Sequence, residues 1–148
     1  MDIRGELRDA GFLRRQGKKE QNRPAKPLEF RTTSGFRVLV GRNNRQNDKL
    51  TRSADHRDIW LHTQKIHGSH VILCTGGREV DDDTIVEAAK LAAWFSQARE
   101  GANVPVDYTP VKNVKKLAGA RPGMVIYSTC RTVNVAPEEG LVKKLQLS

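Results

Sequence analysis

Between Asn103 and Arg131 the chain reads NVPVDYTPVKNVKKLAGARPGMVIYSTCR, which sets Lys112, Lys115, Lys116, Arg121 and Arg131 against one acid, Asp107. Tyr108 and Tyr127 bracket the cluster. Such a segment suits a phosphate backbone, because Lys supplies charge and an exposed Tyr supplies a stacking face. A solvated basic loop between two strands has the same composition, and charge alone does not separate the two readings. A second polar cluster is VGRNNRQNDKLTRS, where the six residues Arg42 to Asn47 are all Arg, Asn or Gln. Asn43 is placed to cap a helix whose free N–H groups and positive dipole end favour a phosphate. Arg42 and Arg45 add fork-shaped donors, and Asn44 and Lys49 extend the candidate surface. The plainer alternative is a solvated helix start.

The segment DIWLHTQKIHGSHV holds His62, His67 and His70, three of the four histidines. If two strands meet through the turn at 64–68, His62 and His70 sit across from each other. Their spacing matches no common zinc pattern and no second cysteine is adjacent, so no metal is expected. The imidazoles pin a hairpin or face an anionic partner, and His62 and His70 join the candidate RNA contacts. Trp60 reads as a core or platform residue. Ser69 and His70 are neighbours on a strand and point to opposite faces, which excludes a direct nucleophile–base relay. Gly76-Gly77 lacks the following Lys and hydroxyl residue of a phosphate loop. No catalytic constellation emerges; a noncatalytic protein without a cofactor is expected.

These residues need elements to position them. Leu28–Thr32 and Phe36–Val40 read as a hairpin turning at Thr33-Ser34-Gly35. Asn43 then caps a short helix, NRQNDKLTRS. Asp58–Thr63 alternates Ile59 and Leu61 against Trp60 and His62, as a strand does. Ser69–Thr75 reads as a more buried strand. Thr84-x-x-Glu87 forms a capping box behind Asp81, Asp82 and Asp83, opening an Ala-rich helix that runs to about Arg99, with Gly101 past its end. Val106–Tyr108, Met124–Ser128 and Thr132–Val135 complete the strands, the last two as a hairpin. The expected class is α+β: a mostly antiparallel sheet of short strands with one long Ala-rich helix packed on one face. Residues 1–27 read as a helix end and flexible basic linker, 28–137 as the folded domain, and 138–148 as a polar tail with freedom to move.

Formal net charge is +9 over 148 residues, with 37% hydrophobic and 5% aromatic content. The core must be lean, and the charge attracts polyanions. Segments 1–27, 36–67 and 101–131 each carry a net +4, whereas 78–100 carries −3. A basic face with a less basic back is expected. Cys74 and Cys130 read as free thiols in a reducing cytosol, and no apolar run reaches membrane-spanning length, so a cytoplasmic protein without a membrane partner is expected.

GRNNRQNDKLT, DIWLHTQKIHGSHV, EAAKLAAWFSQAR, VPVDYTPVKNVKK and GARPGMVIY follow one another in an order that resembles the NFACT-R domain, over about residues 28–137. The resemblance implies an RNA-binding module of a ribosome quality control factor. Full-length members engage the large ribosomal subunit, recruit tRNA and support C-terminal tailing of stalled nascent chains. It also implies that this chain is a piece of a longer protein, with tRNA or ribosomal RNA as partner. Some bacterial members are named for binding fibronectin, so a fibronectin-binding adhesin-like module is the alternative. Many members carry Pro at the position of His67, which is therefore set aside as an essential ligand.

Overall fold

The computed structural model describes residues 26–116, 118–127 and 129–147. The expected helix end and most of the linker, at 1–25, lie outside the described residues. In chain order the elements are β1 (Leu28–Arg31), β2 (Arg37–Val40), α1 (Asn44–Ser53), β3 (Ile59–Thr63), β4 (Val71–Cys74), α2 (Asp82–Trp94) and β5 (Val104–Pro110). A 3-10 turn (Val111–Asn113), β6 (Val114–Lys115), β7 (Ile126–Tyr127), β8 (Arg131–Val135) and α3 (Glu139–Leu145) follow.

Six strands form one sheet in the order β1-β2-β4-β3-β5-β8, with every pairing antiparallel. The β1–β2 hairpin forms in the register Leu28↔Val40, with Gly35 at φ 97 in its turn, a conformation glycine adopts without strain. The α+β class expected from the sequence is the fold observed. Strand alternation sorts the apolar residues onto both faces. Val38, Val40, Leu61, Val71, Leu73 and Val106 pack with α2. Trp60 and Ile72 point the other way and form a second core with Leu50 of α1 and Val111. The sheet is thus covered twice, where one covered face was expected. Ala88, Ala89, Ala92 and Ala93 of α2 are fully buried, and their short side chains let the helix lie close to the strands.

The Ala-rich helix is shorter than expected, 13 residues ending at Trp94. Past it, Ser96 Oγ bonds the Ala93 carbonyl at 2.7 Å, and the Ser69 amide bonds the Phe95 carbonyl at 3.0 Å. The chain there leaves the helix to pair with the 67–69 segment. Its cap also differs from the expected capping box. Asp81 is the N-cap, accepting from the Thr84 amide at 2.9 Å and its hydroxyl at 2.6 Å. Those bonds hold the Asp81 carboxylate below its ordinary pKa. Glu87 is left free to hold the β1–β2 turn, accepting from the Thr33 amide at 2.8 Å and hydroxyl at 2.6 Å.

Two more expectations are corrected. β7 does not pair with β8. It pairs with β6 in a separate two-stranded sheet, because the Tyr127 hydroxyl donates to buried Asp107 at 2.7 Å and draws this segment across the second face. The C-terminal residues are not a free tail. α3 buries Val142 and Leu145, and the Leu147 amide bonds the Glu29 carbonyl at 3.0 Å, closing the edge at β1.

Candidate nucleic-acid interface

α1 is the spine of the basic surface. Asn43 caps it in extended backbone, its side chain accepting from the Gln46 amide at 2.9 Å. Gln46 Oε1 reaches back to accept from the Arg42 amide at 2.6 Å. The first bond satisfies an orphan donor of the helix start, and the second ties the residue before the cap to the first turn. The α1 first turn holds no acid, and Arg42, Asn43, Asn44 and Arg45 are all exposed, so the positive dipole end carries a cationic surface. Arg42 is also tied down, its Nε donating to the Lys26 carbonyl at 2.6 Å.

Asn47, on the inner side of α1, is buried and accepts from the His70 amide at 3.1 Å. A Cβ at Gly41 would lie 1.9 Å from its Oδ1, so glycine is required there for α1 to seat on the sheet.

The basic residues divide into two groups along α1. Arg52 and His56 join Lys112, Lys115 and Lys116 around a cleft of about 280 Å³ that also includes Asp48. Two backbone bonds bring these distant segments together: the Val111 amide to the Asp58 carbonyl at 2.8 Å, and the Lys112 amide to the His56 carbonyl at 3.2 Å. Past the helix start, Asn44 and Arg45 share a groove with Arg121 and His67. Arg45 and Lys49 also border a more apolar groove with Leu39 and Pro27.

Lys116 differs from its neighbours. It pairs with Asp48 at 3.0 Å and donates to the Arg121 carbonyl. Asp48 also accepts from the Gly123 amide at 2.9 Å. This cluster clamps Lys116 and the 121–123 segment onto α1. Gly123 sits at φ 85, and a Cβ there would meet Asn44 Oδ1 at 2.7 Å. Arg52 and His56 were not picked out in the sequence; only their register on and after the helix could have suggested them. His67, set aside on the family pattern, lies exposed at the rim of the 121–124 groove.

The histidine pair forms as expected, with ring centroids of His62 and His70 5.5 Å apart and perpendicular. His70 is corrected as an RNA contact: at 1% exposure it offers no surface to a partner. Its Nε2 lies 3.1 Å from the Gly123 carbonyl and its Nδ1 2.8 Å from Thr51 Oγ1. A carbonyl only accepts, so Nε2 carries the proton and Thr51 donates to Nδ1. Burial, and then the neighbouring His62, pushes the His70 pKa down to about 4. His62 is half-buried, 3.2 Å from the Gly68 carbonyl through Nε2, and burial lowers its pKa as well. Both imidazoles thus place Nε2 on main-chain carbonyls, and among the described residues no group of three or more His, Cys, Asp or Glu side chains converges on a point. Trp60 is a core residue at 1% exposure, stacked on His62 at 5.7 Å.

A family model described as the NFACT protein RNA binding domain matches residues 26–128. The chain belongs to this family. The Rqc2 homolog RqcH of Bacillus subtilis (strain 168) is 47% identical over 153 residues, covering 99% of this chain and 26% of that protein. RqcH of Streptococcus suis (strain 05ZYH33) is 37% identical over 148 residues, covering 99% and 27%. This chain therefore spans about a quarter of the length of these curated relatives. Among solved structures, the C-terminal part of the fibronectin/fibrinogen-binding protein from Streptococcus suis superposes with a TM-score of 0.83. It is 37% identical and covers 98% of this chain and 59% of that one. No helix among the described residues is long and apolar enough to cross a membrane.

Proposed function

We propose that this chain is a noncatalytic RNA-binding module, the R domain of a ribosome quality control factor of the RqcH type. Its RNA is tRNA or large-subunit ribosomal RNA, and in the whole protein it helps hold the RNA while stalled chains are tailed at their C terminus. The observation that carries the reading is the convergence of Arg52, His56, Lys112 and Lys115 on one cleft at the C-terminal half of α1, a helix whose start bears Arg42 and Arg45 and whose first turn holds no acid. Phosphate contacts of this kind give affinity and orientation without sequence readout. Asn43, Asn44 and Lys49 extend the same surface, and Arg121 flanks it. The family match supports RNA as the polyanion.

A variant carrying Arg52→Ala, Lys112→Ala and Lys115→Ala tests the reading by tRNA titration. Its affinity should fall, and its salt slope should shrink by about 0.7 to 0.9 per lost phosphate contact. Unchanged affinity and slope with an intact fold would reject this cleft. The second reading, a fibronectin-binding module, rests on the name of the Streptococcus suis protein whose fold superposes. It predicts fibronectin capture that excess tRNA does not compete.

A further inference from the structure

Beside the basic clefts lies a cavity of about 410 Å³ lined by residues that include Trp60, His62 and Tyr127. We propose that this cavity takes one unstacked base of a single-stranded RNA. The inference rests on the RNA-binding reading above and adds which part of the RNA enters the protein.

Three features of the molecule meet at this cavity. Trp60 Nε1 is the one buried side-chain polar atom among the described residues that has no hydrogen-bond partner, and buried donors are almost always paired. Lys65, on the rim, is the one described non-glycine residue with positive φ, at 61, and such backbone outliers cluster at binding sites. Met124, also on the rim, is 52% exposed, more than any other large hydrophobic side chain described.

The surrounding charge pattern selects a nucleotide. Trp60 lies 4.8 Å from Tyr127 and 5.7 Å from His62, centroid to centroid, and so backs the half-buried rings of His62 and Tyr127 that a base would meet. Burial lowers the pKa of half-buried His62, so this wall suits an uncharged base rather than a phosphate. Cations stand on both sides. Val125 is shared with the cleft that holds Lys112 and Lys115, and Met124 is shared with the groove that holds Arg45 and Arg121. A cation–ring–cation order matches phosphate–base–phosphate along one strand, and stacking on aromatic side chains tolerates any base. The exposed apolar rim alone would also suit a peptide, but the flanking cations favour RNA.

The test uses Trp60 as reporter. Trp94→Phe leaves it the only tryptophan of the two in the chain. That variant is titrated with a ten-unit oligoadenylate and with a ten-unit abasic ribose-phosphate oligomer. The oligoadenylate should bind about tenfold more tightly, the value of one stacked base, and should quench Trp60 emission. Met124→Ala should narrow the gap between the two oligomers. Equal binding of the two oligomers overturns the base pocket while the phosphate-contact reading stands. A preference for the oligoadenylate without change in Trp60 emission also overturns it, because the base then sits elsewhere. Failure of both oligomers to bind removes the RNA reading and the pocket together.

Discussion

Acidification should weaken this fold through His70 before carboxylates protonate in quantity. The ring is 1% exposed and neutral, held as the Nε2–H form between Thr51 and the Gly123 carbonyl. Its folded pKa of about 4 lies below the ordinary value of 6.5. Between those values the unfolded chain binds a proton that the native chain refuses. Stability is therefore full above pH 6.5 and falls as pH drops toward 4, where the native ring also protonates. From pH 7.5 to pH 5 the loss from His70 is about 2 kcal/mol, at roughly 1.4 kcal/mol per pH unit. His62 is shifted in the same direction and adds to it. Urea unfolding followed by circular dichroism at pH 7.5, 6, 5.5 and 5 measures the loss. His70→Gln should be less stable than the parent at pH 7.5 and should show a flatter pH dependence. Stability in the parent that stays constant to pH 5, or that rises on acidification, would refute the reasoning.

Asp81→Ala removes the N-cap of α2 and should lower the thermal unfolding midpoint, with tRNA affinity unchanged. Ala89→Leu forces extra volume between α2 and the sheet and should cost about 1–3 kcal/mol. Asp48→Ala frees Lys116 and the Gly123 amide; global stability should drop by no more than about 1 kcal/mol, while hydrogen exchange at Gly123 should accelerate. Unchanged exchange there would show that Asp48 does not clamp the loop.

The elements that the sequence made legible are those governed by local chemistry. Asn43 caps α1 as its residue type and position require, the β1–β2 turn carries its glycine, and alternation around Trp60 puts His62 and His70 across from each other. The missed features depend on distant partners. β7 is two residues long and follows β6 rather than β8, because Tyr127 reaches Asp107 from another strand. α3 has a polar, Gly-containing sequence whose helix is held by burial of Val142 and Leu145. The Arg52 and His56 contribution to the basic cleft depends on backbone bonds between residues more than fifty positions apart. His70 looked like an anion contact by residue type, but Thr51 and Asn47 on the inner side of α1 cover it.

The most direct test of the account is amide chemical-shift mapping of the isotope-labelled chain during a tRNA titration. The account predicts perturbations concentrated at residues 42–52, 56 and 112–123, with α2 and the β8 edge silent. Perturbations centred on α2 or β8, with the α1 surface unmoved, would contradict it.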